Sequence, residues 1–259
     1  MRTLFFIFCI GILATSCAPT DAIPPTPTLI PSETPLPTAT VVWFPSSATP
    51  TFQTFATSTA TPQMDPGIGA LILADDFSDF TSWDTAVSDQ GSAAISRNRL
   101  TIVVQPRVYL ASMKQGLGVG NFYAEITAHT NLCRGEDHYG LIVRAAGNSF
   151  YRFALACNGT VFVERIKSGQ RINIFEPVAS GDAPLGAPGE VKIGIWAVNA
   201  EMRLFLNDRF QFSVIDRSFP NGNFGVFARS VGETPVTVTF SDLIVYDVVY
   251  AFPTRTPSP

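Results

Sequence analysis

The sequence has little positive charge, few histidines and no apolar run long enough for a membrane span. Lys and Arg together number 17 against 21 Asp and Glu, which gives a formal net charge of −4 at pH 7. A chain without a basic excess is a poor candidate for nucleic-acid binding. The longest apolar run, residues 4–13, is about half of the roughly 20 residues that a membrane-spanning helix needs.

Residues 1–16 have the order of a secretory signal: a charged start, the apolar run and then small residues. Cys17 follows, so the segment resembles the bacterial lipoprotein signal, in which the cysteine after the cleavage site takes lipid. That resemblance implies a diacylglycerol on Cys17, whose two acyl chains would hold the protein stably on a bilayer. We therefore expect an extracytoplasmic protein, membrane-anchored at the bacterial cell surface or envelope. The alternative is an ordinary signal peptide beside an incidental cysteine, since Ala14 stands where the lipoprotein pattern usually has leucine.

Residues 17–66 join this anchor to the rest of the chain and are rich in Thr and Pro. After Cys17 the segment has no Lys or Arg, and its only acids are Asp21, Glu33 and Asp65. Proline fixes φ and removes hydrogen-bond donors, and such a composition buries too little apolar surface to offset chain entropy. The composition predicts a disordered, polyproline-like linker. Residues 251–259 have the same composition and are predicted to form a disordered tail.

The remaining residues, 67–250, are enough for one domain with a full core. Short runs of β-branched and aromatic residues alternate with turn residues, which is typical of an all-β sandwich. Asn158-Gly159 is the strongest turn signal, because both residues tolerate the positive φ of a type I′ hairpin. The predicted strands are 99–104, 121–128, 139–144, 149–156, 160–167, 191–198, 202–206, 210–214, 223–229 and 236–247.

Several segments of this region resemble bacterial concanavalin A-like (laminin-G-like) sandwich domains. In chain order they are DDFSD at 75–79, YGLIVRA at 139–145, SFYRF at 149–153, VKI at 191–193, MRLFLND at 202–208, NFGVFA at 223–228 and FSDLIVY at 240–246. The resemblance implies two stacked antiparallel sheets in jelly-roll order, with the first and last strands adjacent. It does not define a function, because this fold hosts lectins, glycosidases and inert modules.

Two cysteines lie within the domain, Cys133 and Cys157, and an even pair in an exported chain favours a disulfide. The predicted hairpin places His138 opposite Cys157, with Cys133 in the loop just before it. A bond between the cysteines would close a loop of about 25 residues and stabilise the fold by roughly 3–4 kcal/mol. The alternative is a metal pair, but the only histidines, His129 and His138, supply too few further ligands.

Glycan-cleaving enzymes of this fold typically carry two carboxylates on one strand, in a pattern such as Glu-x-Asp-x-x-Glu. The sequence has no such run: Glu125 and Glu164 have no matching acid nearby, and Glu136-Asp137 is an adjacent pair in a loop. His138 beside Asp137 is interpreted as a polar loop residue rather than a general base. The sequence thus favours a protein that is not an enzyme, with a glycan-active hydrolase of atypical site as an alternative.

Laminin-G-like modules often bind calcium through loop carboxylates and carbonyls. The resemblance makes Asp75, Asp76, Asp79 and Asp242 the candidate ligands of a structural Ca²⁺, and no other cofactor is expected. Calcium takes six to eight oxygens, and sequence alone does not show whether these acids converge. The alternative is that they face solvent or cap a turn.

Sugar recognition needs aromatic rings that stack on sugar faces and planar groups that bond the hydroxyls. Trp196 lies on the polar face of its predicted strand, so it is a candidate binding platform unless a loop covers it. Arg144 and Tyr151 fall opposite each other across a hairpin turn and form a second candidate, with Tyr139 on the same hairpin. Tyr151 and Phe162 are predicted to share one face of the sheet. Both faces of this hairpin are apolar, so the sequence does not show which of them packs into the core.

Three functional hypotheses follow from these features. The first is a surface-displayed lipoprotein with a non-catalytic domain that binds carbohydrate or another extracellular ligand. The second is a structural or protein-contacting envelope module, and the third is the atypical hydrolase. The expected partners are the membrane, through the lipid anchor, and an extracellular glycan or envelope protein, but not nucleic acid. An exposed aromatic face would favour the first hypothesis, whereas carboxylates about 5–10 Å apart in a groove would favour the third.

Overall fold

A computed structural model of the protein describes residues 63–249. The predicted signal, Cys17, nearly all of the linker and the predicted tail lie outside this range. Within it the chain consists of strands and turns, and no helix is long and apolar enough to cross a membrane.

Fifteen strands make up the described domain. In chain order they are β1 (Ile68–Asp75), β2 (Ala86–Ser88), β3 (Gly91–Ser96), β4 (Arg99–Val104), β5 (Tyr109–Val119), β6 (Phe122–Leu132), β7 (His138–Ala146), β8 (Ser149–Ala156), β9 (Thr160–Lys167), β10 (Gln170–Ala179), β11 (Gly189–Val198), β12 (Glu201–Leu206), β13 (Arg209–Ile215), β14 (Gly222–Arg229) and β15 (Val236–Val248).

The strands form two antiparallel sheets. The larger has nine strands in the order β13-β12-β11-β6-β15-β4-β3-β2, with β1 paired to β15. The smaller has six strands in the order β10-β9-β8-β7-β14-β5. The pairing of β1 with β15 places the first and last strands side by side, as the resemblance implied. The predicted all-β, two-sheet jelly-roll sandwich is confirmed.

The main hydrophobic core lies between the two sheets and resolves which face of the hairpin is inside. Tyr151, Phe153 and Leu155 of β8 point into this core. Phe162 does not join them: it pairs with Ala154 and lies on the opposite, outer face of the six-stranded sheet. The prediction that Tyr151 and Phe162 share a face is therefore wrong.

Three predicted strands coincide with β4, β8 and β9, whereas β1, β2, β3, β5 and β10 are absent from the prediction. The two longest missed strands, β5 and β10, are the edges of the six-stranded sheet. β5 contains Lys114, Gln115 and two glycines, and β10 contains Pro177, so neither shows the pattern of a buried strand. Edge strands tolerate such residues because one side of their backbone is unpaired.

Hairpin turns follow the residue chemistry, with one correction. Ser168-Gly169 and Asn207-Asp208 have positive φ at both positions, which is the type I′ geometry. At Asn158-Gly159 only Gly159 has a positive φ, of 82°, so the predicted type I′ turn is wrong. The Asn158 side chain instead accepts hydrogen bonds from the Thr160 N–H and hydroxyl, at 3.1 and 2.8 Å, and these bonds fix the turn.

Cys133 and Cys157 are joined by a disulfide, which confirms the predicted pair. Their α-carbons lie 5.7 Å apart, within the usual range. His138 pairs with Ala156 rather than with Cys157, so the hairpin register is one residue away from the predicted one. Both cysteines are buried in the core between the sheets, so the bond ties the β6–β7 loop to the end of β8.

Candidate functional site

The outer face of the six-stranded sheet carries both apolar and charged side chains, an unusual combination for a solvent-facing surface. Because side chains alternate along a strand, the residues between the core-facing ones point outward. A second hydrophobic cluster results there. Its buried members are Ile142, Ala145, Ala154, Ala156, Phe162 and Phe227, and the partly exposed Tyr109, Ala111, Met113 and Phe150 pack against them.

A buried ion pair lies in the middle of this outer face. Arg152 of β8 and Glu164 of β9 are register partners, and their residues are 4% and 1% exposed. The Arg152 Nε–H donates to Glu164 Oε2 at 2.6 Å, and a second Arg152 N–H donates to the same oxygen. Arg171 of β10 approaches the other oxygen, Glu164 Oε1, at 3.4 Å. Both oxygens of the carboxylate are thus engaged by arginines.

Aromatic rings hold the Arg152 guanidinium in place. Its central carbon lies 5.1 Å from the ring centroid of Tyr109 and 5.1 Å from that of Phe227. Attraction between a cation and a ring face adds to the ion pair with Glu164. The arrangement fixes a planar polar group between two rings, which rigidifies the centre of the outer face.

Two depressions lie on the outer face, one on each side of this centre. We call the first the histidine pocket; its volume is about 400 Å³. It is lined by Glu136, His138, Ala156, Asn158, Thr160, Phe162, Glu164, Arg171, Asn173, Pro177, Arg229 and Val231. We call the second the tyrosine pocket; its volume is about 360 Å³. It is lined by Asp84, Tyr109, Ala111, Met113, Lys114, Gln115, Ile142, Ala145, Gly147, Phe150 and Asn223.

His138 is a buried, neutral member of the histidine pocket. Its Nδ1 lies 2.9 Å from the carbonyl oxygen of Glu136, so Nδ1 carries the proton and donates. Burial lowers the pKa of His138 to about 4, and the nearby Arg152 guanidinium acts in the same direction. The other ring nitrogen, Nε2, is then an acceptor, and it has no hydrogen-bond partner among residues 63–249. The ring is held at its edges by Phe162 and Phe227.

A larger depression, of about 1040 Å³, lies beside the β5–β6 and β11–β12 turns. Its polar side chains serve the turns themselves: Asn121 accepts the Asn199 N–H at 2.8 Å, and Glu201 accepts from Arg203 at 2.8 Å. Its own aromatic residue, Trp196, and the Arg203 that lies over that ring are already bound by the carbonyl groups of Pro66 and Met64. The outer face of the six-stranded sheet is therefore the stronger candidate for a binding site.

Trp196 does not form an exposed platform. Its residue is 1% exposed, and its Nε1–H donates to the carbonyl oxygen of Pro66 at 2.9 Å. The Arg203 guanidinium lies 4.4 Å from its ring centroid and also donates to the Met64 carbonyl. The segment from Met64 to Pro66, which precedes the predicted domain start at residue 67, thus covers the ring. Trp196 is therefore covered by another part of the chain, which was the alternative to an exposed binding platform.

Arg144, Tyr151 and Tyr139 are also buried rather than exposed in a groove. The Arg144 guanidinium donates to the carbonyl oxygens of Asn199 at 2.7 Å, Gly120 at 2.9 Å and Phe219 at 3.3 Å. These bonds hold three turns together. The expectation of an exposed Arg144–Tyr151 pair is corrected, because Arg144 serves a structural network.

The two tyrosines differ in what their hydroxyls contact. The Tyr151 hydroxyl donates to Asp216 Oδ1 at 2.7 Å and accepts the Phe219 N–H at 3.1 Å. Tyr139 lies in the core, and its hydroxyl has no partner among the described residues. Neither ring offers a face to a ligand.

The four candidate calcium ligands perform separate local tasks. Asp75 accepts from the Trp83 Nε1–H at 3.0 Å and pairs with Lys114 at 3.4 Å. Asp76 and Asp79 interact with the residues two positions further on, Ser78 and Thr81, and each accepts the backbone N–H there. The side-chain hydroxyls and, after them, these backbone N–H groups lower the pKa of both carboxyls. Asp242 is exposed, at a bulge of β15. Among residues 63–249, no three His, Cys, Asp or Glu side chains are grouped as metal ligands.

The acids considered for catalysis are likewise dispersed. Glu125 lies on β6 of the nine-stranded sheet, where it accepts from the Tyr123 hydroxyl at 2.7 Å. Asp137 is buried and accepts the Val231 and Gly232 N–H groups at 2.7 and 3.2 Å. Glu136 and Glu164 both line the histidine pocket, but Glu164 is bound by two arginines.

Four residues of the outer face are not predicted as site residues from the sequence: Arg152, Arg171, Arg229 and Asn173. Glu164 and His138 are noted there, but not as site residues. One signal was available. Arg152 and Glu164 sit at alternating positions among outward-pointing apolar residues, in strands whose boundaries are predictable. A charged residue at the centre of an apolar strand face must find a partner, and the hairpin register would have supplied it.

Sheet order, the β1–β15 pairing and the core between the sheets together define a concanavalin A-like β-sandwich. No protein-family model and no curated protein matches the sequence. Similar solved structures do exist, at low sequence identity.

This chain is similar to the GH43 protein BlXynB from Bacillus licheniformis, with a TM-score of 0.51 and 11% identity over 67% of this chain and 39% of that one. It is similar to an endo-acting O-glycanase of the human gut microbiota, with a TM-score of 0.51 and 9% identity over 70% of this chain and 100% of that one. The carbohydrate-binding module CBM66 from Bacillus subtilis is also similar, with a TM-score of 0.47 and 16% identity over 65% of this chain and 98% of that one. Each likeness is one of fold.

Proposed function

We propose that this protein is an extracytoplasmic lipoprotein whose β-sandwich binds carbohydrate, without cleaving it, through the outer face of the six-stranded sheet. One observation carries the proposal. The histidine pocket and the tyrosine pocket, of about 400 and 360 Å³, lie on either side of the Arg152 guanidinium. The rings of Tyr109 and Phe227 hold this guanidinium in place. Apolar rings together with a few fixed polar groups are the usual lining of a ligand site.

The pocket chemistry suits a sugar. Asn158, Asn173 and Thr160 provide amide and hydroxyl groups for ligand hydroxyls, and Phe162 and Tyr109 provide ring surface. Two pockets on one face would accept successive units of a chain. A similar fold in the O-glycanase that initiates mucin breakdown supports a glycan as the ligand class.

Binding without cleavage is supported by the engagement of Glu164. Hydrolysis by the two-carboxylate route needs one acid free to donate a proton and a second free to act on the sugar or on water. Glu164 is held by Arg152 and Arg171, and the other carboxylate of the histidine pocket, Glu136, lies at the exposed rim.

A glycan array and soluble polysaccharide titrations with the full-length protein test the binding proposal. We expect saturable binding that weakens at least tenfold in Asn173→Ala, which removes a pocket amide. Arg99→Ala, on β4 of the other sheet, is the matched control and should bind normally. Absence of binding from a folded protein across a broad panel would reject the proposal in favour of a protein-contacting envelope module.

The anchor is tested separately, by labelling growing bacterial cells that express the chain with a palmitate analogue. We expect label on the wild type, partition into the detergent phase of Triton X-114, and loss of both in Cys17→Ala. A Cys17→Ala protein that still takes label would reject lipidation at this residue.

A further inference from the structure

Arg229 lines the histidine pocket and has no counter-charge there. It is the last residue of β14, pairs in register with His138 and is partly exposed. Every other arginine of this pocket has a carboxylate partner: Arg171 and the underlying Arg152 both bind Glu164. The backbone of Arg229 pairs with Tyr109 and His138 in the sheet, but its side chain forms no ion pair and no hydrogen bond with any residue between 63 and 249.

The surroundings of Arg229 are unfavourable for a cation. Burial lowers the pKa of Arg229, and the positive charges of Arg152 and Arg171 lower it further. The negative charge of Glu164 raises the pKa of Arg229 and so opposes this lowering. The Glu164 oxygens, however, are already bound by Arg152 and Arg171. A protein gains no stability from placing a third guanidinium beside two others, so such a residue is a candidate for a ligand contact.

The pocket offers what an anionic group would need. A guanidinium is a planar fork that matches the oxygens of a carboxylate or sulfate. Asn158 stands at the β8–β9 turn on one wall, where its amide N–H groups can donate to the same anion. The buried, unprotonated Nε2 of His138 is an acceptor and does not take part. Glu136 is at the rim and disfavours anions, but it is exposed and screened by solvent.

We infer that the histidine pocket takes an acidic sugar unit, whose carboxylate or sulfate group pairs with Arg229. This inference rests on the proposed glycan-binding function and narrows it to acidic polysaccharides. The chain as a whole has a net charge of −4, so general electrostatic attraction does not explain binding of a polyanion. Recognition would have to come from the local arginine cluster.

The test uses the full-length protein and pairs of polymers that differ in charge. Polygalacturonate is compared with its fully methyl-esterified form, and dextran sulfate with dextran, by isothermal titration calorimetry. Supporting results are binding to polygalacturonate, dextran sulfate or both, with at least tenfold weaker binding to the matched neutral form. The two arms distinguish a carboxylate ligand from a sulfate ligand.

Arg229→Gln should weaken binding of the acidic polymer at least tenfold, while Arg99→Gln removes the same charge from the other sheet and should change binding less than twofold. Because Arg229 is repelled by its neighbours, Arg229→Gln should leave the thermal midpoint unchanged or raise it. A lower midpoint would indicate a structural role and overturn the inference.

Two outcomes separate the failure of this inference from the failure of the proposed function. Equal binding of charged and neutral polymers, unaffected by Arg229→Gln, would overturn the acidic specificity and leave glycan binding intact. If the glycan array also shows no ligand, both proposals fail. Equal losses in the Arg229 and Arg99 variants would show non-specific charge attraction and would likewise overturn the inference.

Discussion

Arg152 and Glu164 face each other across β8 and β9 and form an ion pair that is almost completely removed from solvent. Two buried charges are stable only as a pair, because the loss of one leaves the other without compensation. Substitution of either residue should therefore have a large effect on the free energy of unfolding.

We predict that Arg152→Met and Glu164→Leu each lower the free energy of unfolding by about 3–5 kcal/mol. The double variant should lose much less than the sum, since it leaves no isolated charge. Urea unfolding at pH 7 measures all three. The exposed pair Arg107–Glu233, with side chains 71% and 76% exposed, is the control; Arg107→Ala should cost at most about 1 kcal/mol. Strictly additive losses at the buried pair would contradict the prediction.

Gly140 occupies a position in β7 that only glycine fits. Its φ is +153°, and a β-carbon there would overlap the carbonyl oxygen of Phe153 on the neighbouring strand. The atoms that this β-carbon would meet are backbone atoms of β8, so no side-chain rotation can relieve the overlap. We predict that Gly140→Ala destabilises the domain by at least about 2 kcal/mol. Gly181→Ala, where a β-carbon meets nothing within 4 Å, should be nearly neutral or slightly stabilising. Similar midpoints for both variants in thermal unfolding would contradict this.

The sandwich itself was predictable because strand patterns and turn residues are local signals. β8 and β9 could be delimited to the residue, since β8 runs from the Gly147-Asn148 turn to the Asn158-Gly159 turn and β9 runs on from there to the Ser168-Gly169 turn. The disulfide was predictable from the neighbouring β7–β8 hairpin, which brings Cys133 and Cys157 close together. β5 and β10 could not be recognised, because edge strands need only one pairing partner and accept Gly, Lys and Pro.

The site was much less predictable. Which face of β8 is inside depends on the opposite sheet, and the strand carries apolar residues on both faces. The sequence therefore points to Tyr151, whereas Arg152, one position away, is the residue that lies on the outer face of the sheet. Trp196 was selected because it shares a strand face with Lys192, but its cover comes from Met64 and Pro66, more than a hundred residues earlier. Contacts between segments so distant in the sequence leave no local pattern.

His138 makes the stability of the domain sensitive to acid. Burial lowers its pKa in the folded state to about 4, against about 6.5 in the unfolded chain. Below pH 6.5 the unfolded state therefore binds more protons, and the free energy of unfolding falls as the pH falls toward 4. Between pH 7 and pH 5 this histidine should contribute a loss of about 2 kcal/mol.

Replacement of the histidine tests this assignment. His138→Phe keeps a ring between Phe162 and Phe227 and cannot be protonated. Urea unfolding at pH 7, 6 and 5 should show a smaller loss of stability in this variant than in the wild type. If both proteins lose stability equally over this range, other groups account for the acid sensitivity.

The segment before β1 is part of the folded domain, because Met64 and Pro66 cover Trp196. We predict that a chain starting at residue 67 is less stable than one starting at residue 59, and that its tryptophan emission shifts to longer wavelength as Trp196 meets water. Trp83 is buried in the main core and also emits in both chains. Trp196→Phe versions of each chain therefore show whether the shift in emission comes from Trp196. In the Trp196→Phe pair the wavelength difference should vanish. Identical emission and equal urea midpoints for the two wild-type chains would show that the covering segment is dispensable.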